Sequence, residues 1–281
     1  MQQTTEQKYS KRTEGGICMY GAIIGDIAGS KYEFDPVKEK DFILFPDGSG
    51  PTDDSFMTAA VAETLLELEG GETDDEIKKL FVDKMKKWGR RHPFAGYGGR
   101  FSAWLMTPDR QPYNSFGNGS AMRVSPAGWL YDDLETTRKM ARLSSVVTHD
   151  HPEGIKGAES VAAAIFMARA GASKEEIRKY IEDEFEYDLD RTCADIRPGY
   201  SFDVTCQGSV PEAIIAFLEG KDYEDVIREA VSLGGDADTQ AAIAGSIAEA
   251  FYGIPEELKS EADKRMPDDM KEIVKKFYAG K

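Results

Sequence analysis

Helix-start devices recur along this chain, and the apolar–polar alternation of a half-buried strand does not. Thr73-x-x-Glu76 and Ser173-x-x-Glu176 are capping-box patterns. The first leads into Ile77, Leu80, Phe81, Met85 and Trp88 on one helical face, the second into Ile177, Tyr180 and Ile181. Tyr223, Val226, Ile227, Ala230 and Val231 form another stripe, as do Ile243, Ile247, Ala250 and Phe251. Pro211 and Gly220 stand where a helix over Ala213 to Leu218 would start and stop. The pattern predicts an all-α fold of about ten helices, more than a four-helix bundle holds.

With 281 residues, no composition shift and no fixed-period repeat, the expectation is a single compact domain over residues 19–281. Residues 1–18 are polar and lack an apolar signal core, which predicts a disordered leader or non-native extension, the fold beginning at Met19-Tyr20-Gly21. A formal net charge of −16 argues against a nucleic-acid backbone or an anionic membrane as a general partner. It leaves a phosphate-bearing small molecule open, because a bound metal reverses the local field. Three cysteines, widely spaced, form neither a zinc pattern nor a disulfide framework, so a reducing, cytoplasmic setting is expected. No stretch approaches 18 uninterrupted apolar residues. Two long loops, Arg90 to Asn118 and Asp188 to Gln207, are expected to carry function.

Two acidic clusters far apart in the chain share one design. Thr52-Asp53-Asp54-Ser55 and Gly234-Gly235-Asp236-Ala237-Asp238-Thr239 each pair two aspartates with a threonine, and each precedes a small-residue helical run. Taken alone, Thr52-Asp53-Asp54 is also an ordinary helix start, a capping residue with acids at the positive end of the dipole. Taken together, two carboxylate pairs and two hydroxyls make an oxygen-rich donor set for Mg²⁺ or Mn²⁺. Four carboxylates exceed the charge of one buried dication, so two ions are expected. The small residues Thr58-Ala59-Ala60 and Ala241 to Gly245 would let the two helix starts approach.

Other segments read two ways. Gly21 to Ser30 has glycine spacing but no Lys-Ser/Thr pair, so it is a buried helix rather than a phosphate loop. Asp26 inside it is costly unless bonded or near a cation. Glu33 is either solvated or aimed at the same site. Gly117-Asn118-Gly119-Ser120 opens a helix, with Asn118 or Ser120 as cap or with its amides toward a phosphate, and Arg123 serves structure or an anion. His149-Asp150-His151 lacks a third zinc ligand, which leaves His149 as a substrate contact or a buried, satisfied histidine.

In order, Gly25-Asp26-x-x-Gly29-Ser30 with Glu33, Thr52-Asp53-Asp54-Ser55, Gly117-Asn118-Gly119-Ser120-x-Met122-Arg123, Thr148-His149 and Gly234-Gly235-Asp236-x-Asp238-Thr239 resemble the ADP-ribosylglycohydrolase family, which includes the dinitrogenase reductase-activating glycohydrolases and the crystallin J1-like proteins. Each motif is weak alone; five in this order are specific, and they run from about Met19 to about Pro255. The resemblance implies an all-α, orthogonal multi-helix domain with a dinuclear Mg²⁺ or Mn²⁺ cleft. It implies Thr52, Asp53, Asp54, Asp236, Asp238 and Thr239 as metal ligands. Glu33, with Asp53 and Asp238, would be catalytic. Gly117, Asn118, Gly119, Ser120 and His149 would bind substrate, and Tyr200 would stack near the adenine. The implied activity is hydrolysis of the glycosidic bond between ADP-ribose and a modified protein side chain, arginine before serine, by a monomer. A dimetal nucleotide phosphohydrolase and a non-catalytic, crystallin J1-like binding protein are the alternatives.

Overall fold

The computed structural model describes residues 19–108 and 110–280; the expected leader at 1–18 lies outside the described residues. Among these residues there are fifteen helices and no sheet, with one isolated bridge between Gly117 and Thr205. They are α1 (Tyr20–Gly29), α2 (Asp53–Glu67), α3 (Asp74–Arg91), α4 (Gly99–Met106), α5 (Gly119–Met122), α6 (Ser125–Leu130), α7 (Leu134–Val146) and α8 (Pro152–Arg169), then α9 (Lys174–Phe185), α10 (Cys193–Ile196), α11 (Cys206–Glu219), α12 (Tyr223–Ser232), α13 (Ala237–Tyr252), α14 (Glu256–Arg265) and α15 (Asp268–Ala279). The all-α expectation holds.

The count exceeds ten in part because both long loops contain helices, α4 in the first and α10 in the second. Thr73 and Ser173 close the two predicted capping boxes. Pro211 does not start a helix. Thr205 accepts from the Gly208 N–H as the N-cap of α11, so the helix begins at Cys206 and Pro211 lies inside it. The substitution of one ring for an N–H so near the start removes a single helical hydrogen bond, which the buried face from Val210 to Phe217 outweighs.

Helix α13 runs through the centre, with every residue from Ala237 to Glu249 buried. Helix α1 lies against it at backbone distance. A Cβ on Gly21 would fall 2.3 Å from the Gly245 carbonyl oxygen, one on Gly25 2.1 Å from that of Ala241, and one on Gly29 2.4 Å from Asp238 Cα. The four-residue glycine spacing therefore gives α1 a face with no side chains, and α13 fills it. Ile23, Ile24 and Ile27 are fully buried on the rest of α1, each contributing roughly 2 kcal/mol by removal from water. The outcome is positional: the end of α1 is pressed onto the first turn of α13.

Candidate functional site

Asp26 joins α1 to the start of α2. It is fully buried and accepts from the Thr52 N–H at 2.8 Å, the Thr52 hydroxyl at 2.7 Å, the Ser55 N–H at 3.1 Å and the Ser55 hydroxyl. Those bonds satisfy the acid that the sequence leaves unexplained. Burial still pushes its pKa up to about 6, against the pull of these donors. Thr52 caps α2, and the Asp53 N–H donates to the Ala95 carbonyl at 2.7 Å. The second cluster turns on Gly234 at φ +70, a left-handed conformation that suits glycine. Asp236 precedes α13 and Asp238 already belongs to its first turn, so the segment is not the extended one that would put alternate residues on one side. The two carboxylates converge all the same.

The clusters meet. The Thr239 hydroxyl donates to Asp54 Oδ2 at 3.2 Å across 185 residues of sequence. Carboxylate oxygens of Glu33, Asp236 and Asp238 lie within 4.8 Å of one another. Asp53, Asp54 and Asp238 all have pKa values raised well above the usual range, first by burial and then by each other and their acidic neighbours. Burial, then Asp238 and Asp26, raises Glu33 to about 8. Asp236 rises to about 6, although the Asn118 amide donates to its Oδ2 at 2.7 Å.

Asp54 Oδ1 is buried with no hydrogen-bond partner among the described residues. A buried, unpartnered carboxylate oxygen among four more acids is costly as it stands. All the donors are oxygens, so the residues present fit hard divalent cations.

These acids form one end of a cavity of about 490 Å³. The other walls include Gly96, Gly98, Gly99, Arg100, Tyr113, Gly117, Asn118, Gly119, Arg123 and His149. Arg123 is fully buried, its pKa lowered by burial to about 10, and it stays cationic at neutral pH. Three expected site residues do not line the cavity. Thr52 turns its hydroxyl to Asp26. Ser120 turns its hydroxyl to the Gly154 carbonyl at 2.7 Å. Tyr200 packs against Gly235 and donates to the Gly208 carbonyl at 2.6 Å, so it buttresses the Gly234 turn; Phe202 is the aromatic of that loop on the cavity wall.

The Gly117 loop also differs from expectation. The Gly117 N–H is bonded to Ser115 Oγ and the Asn118 N–H to the Val204 carbonyl, while the Asn118 side chain serves Asp236 rather than capping α5. Sequence reasoning missed Gly96, Gly98, Gly99 and Arg100. The available signal was Gly96-Tyr97-Gly98-Gly99-Arg100, three glycines and a cation in a loop already singled out for function.

A family model described as ADP-ribosylglycohydrolase matches residues 5–281, beyond both ends of the motif-bearing stretch. The chain belongs to the ADP-ribosylglycohydrolase family. Within this family of hydrolases, it is 29% identical over 308 residues to ADP-ribosylhydrolase ARH3 of Homo sapiens, covering 84% of this chain and 85% of the relative. It is 26% identical over 284 residues to ADP-ribosylarginine hydrolase Tri1 of Pseudomonas putida (strain GB-1), covering 89% of this chain and 73% of that protein. A solved structure titled "ADP-ribosylglycohydrolase-related protein complex" superposes with a TM-score of 0.70 at 25% identity, covering 93% of this chain and 95% of that one. The ADP-ribosylglycohydrolase motifs from Gly25 to Thr239 all fall inside the matched residues.

Proposed function

We propose that this protein hydrolyses the glycosidic bond between ADP-ribose and a modified protein side chain, releasing ADP-ribose. The observation that carries the reading is the convergence of Asp53, Asp54, Asp236 and Asp238 with Glu33 at one end of a cavity whose other walls hold Arg100, Arg123 and His149. An acidic floor suits cations and a sugar that becomes positively charged at its anomeric carbon; the basic wall suits phosphates.

Asp53, Asp54, Asp236, Asp238 and Thr239 would hold two Mg²⁺ or Mn²⁺ ions, with Thr52 offering lone pairs of the hydroxyl oxygen whose hydrogen goes to Asp26. Bound there, the ions supply Lewis acidity toward sugar hydroxyls and water. Asn118 orients the Asp236 carboxylate, and Asp26 orients Thr52 and Ser55 at the head of α2. Glu33, whose carboxylate lies within 4.8 Å of those of Asp236 and Asp238 on the cavity wall, is the proton-transfer group. The surrounding carboxylates stabilise an oxocarbenium-like transition state.

Tri1 is named for ADP-ribosylarginine, which supports arginine as the first acceptor to test; serine is the second. We place the protein in the cytoplasm as a monomer. Among the described residues, Cys193 and Cys206 are buried thiols outside any disulfide, and no helix is long and apolar enough to cross a membrane.

The deciding experiment is a release assay on arginine-linked and serine-linked ADP-ribosyl peptides, with and without chelator. Metal-dependent release of free ADP-ribose is expected. Release of AMP instead would make the protein a phosphohydrolase. Metal-dependent stabilisation without turnover of either peptide would leave a binding protein.

A further inference from the structure

The two ring nitrogens of His149 face different surroundings. Nδ1 lies 2.8 Å from Thr148 Oγ1. Nε2 faces the cavity beside Gly117 and Gly119, where added Cβ atoms would stand 3.5 and 3.2 Å from it. No protein group among the described residues hydrogen-bonds Nε2. Arg123 Nη2 donates to the same Thr148 Oγ1 at 2.9 Å and to the Ser144 carbonyl at 2.8 Å. Thr148 and Arg123 are both fully buried.

A guanidinium only donates, so Thr148 Oγ1 accepts from Arg123, and the hydroxyl has one proton left to place. Donation to Nδ1 gives that proton an acceptor. The opposite arrangement, with Nδ1 carrying the hydrogen, buries the threonine proton without an acceptor. Burial, together with Arg123 and Arg100, holds the His149 pKa well below the usual histidine range, so the ring is neutral and carries one N–H.

We propose that Thr148, backed by Arg123, is a positioning residue that fixes His149 as its Nε2–H tautomer and so aims a neutral N–H donor into the cavity beside Gly117 and Gly119. The group it would meet is an acceptor-only oxygen, such as a phosphate oxygen of the ADP-ribosyl moiety. Donation from the charged Arg123 polarises the Thr148 O–H, and that in turn strengthens the Nε2–H bond to the ligand. The identity of the ligand rests on the proposed function; the tautomer does not.

Two readouts separate the claims. Long-range ¹H–¹⁵N spectra of the histidine-labelled, Mg²⁺-loaded protein report which nitrogen of His149 carries hydrogen. The expected wild-type signature is protonated Nε2 with bare Nδ1, shifting toward Nδ1–H in Thr148→Val and returning in Thr148→Ser. ADP-ribose affinity by calorimetry should fall roughly tenfold in Thr148→Val, the size of one hydrogen bond in binding, and recover in Thr148→Ser. Protonated Nδ1 in the wild type overturns the proposal even if Thr148→Val fails to fold. So does a folded Thr148→Val that keeps both the signature and the affinity. A wild type with the expected signature but no ADP-ribose binding supports the relay and counts against the proposed substrate.

Discussion

Glu33 and the aspartates around it share a cavity but should fail differently on substitution. Glu33→Gln keeps the shape of the side chain and removes its proton chemistry. Turnover should drop by about 10²–10⁴, the range for a proton-transfer group, while Mg²⁺ affinity measured by calorimetry changes little. Unchanged turnover would remove Glu33 from the mechanism. Asp53→Asn and Asp238→Asn should instead abolish release activity together with metal-dependent stabilisation, and circular dichroism should still show the helical fold. Wild-type turnover of either variant at saturating Mg²⁺ would refute the ligand set. The residue types were readable from the chain, since two Asp-and-Thr clusters taken together make an oxygen-rich donor set for a hard cation. What each hydroxyl does was not. Thr52 and Ser120 match the motif by type, yet neither lines the cavity, and each gives its hydroxyl hydrogen to a protein acceptor, Asp26 or the Gly154 carbonyl.

At the scale of elements, the contact between α1 and α13 positions everything else. Gly25→Ala would place a methyl group 2.1 Å from the Ala241 carbonyl oxygen, so the helices must separate. A loss of about 1–3 kcal/mol is expected from such overpacking, seen as a Tm lower by several degrees. Mg²⁺ affinity should weaken with it, since Asp26 and Asp238 would move apart. Gly50→Ala, with nothing within 4 Å of the added atom, is the matched control and should leave both unchanged. Equal effects in the two variants would mean that the close approach does not govern the site. The capped helices at Thr73 and Ser173 were legible because a capping box is local, complete within four residues. Pro211 misled for the opposite reason: the long apolar face of α11 outweighs the local preference of one residue.

Across the whole molecule, charge couples stability to pH and to metal. A carboxyl whose pKa is higher in the folded state binds its proton more tightly there than in the unfolded chain. Its stabilising contribution is full below the unfolded value near 4 and is lost as pH rises through the folded value, about 6 for Asp26 and Asp236 and about 8 for Glu33. With chelator present, the Tm should therefore fall between pH 5 and pH 8. Mg²⁺ at a hundred times its Kd should add about 2.7 kcal/mol and flatten that slope. Thermal melts over this pH range, with and without Mg²⁺, provide the check. A Tm that rises from pH 5 to pH 8 under chelation would contradict the raised carboxyl pKa values. The net charge of −16 adds to the same trend, because self-repulsion grows as the acids ionise.

The sequence by itself determined the fold class, the family and the types of group at the metal end of the site. Periodicity, caps and short motifs are local or ordered along the chain, so a linear reading reaches them. Only the tertiary structure decided how Asp54 and Thr239 meet, that the glycine face of α1 rather than the alanines of α2 makes the close approach, and that Tyr200 supports a turn while Phe202 lines the cavity. Those outcomes depend on which distant atoms compete for the same hydrogen bond or the same volume. That competition is settled by packing in three dimensions, and no spacing of residues along the chain encodes it.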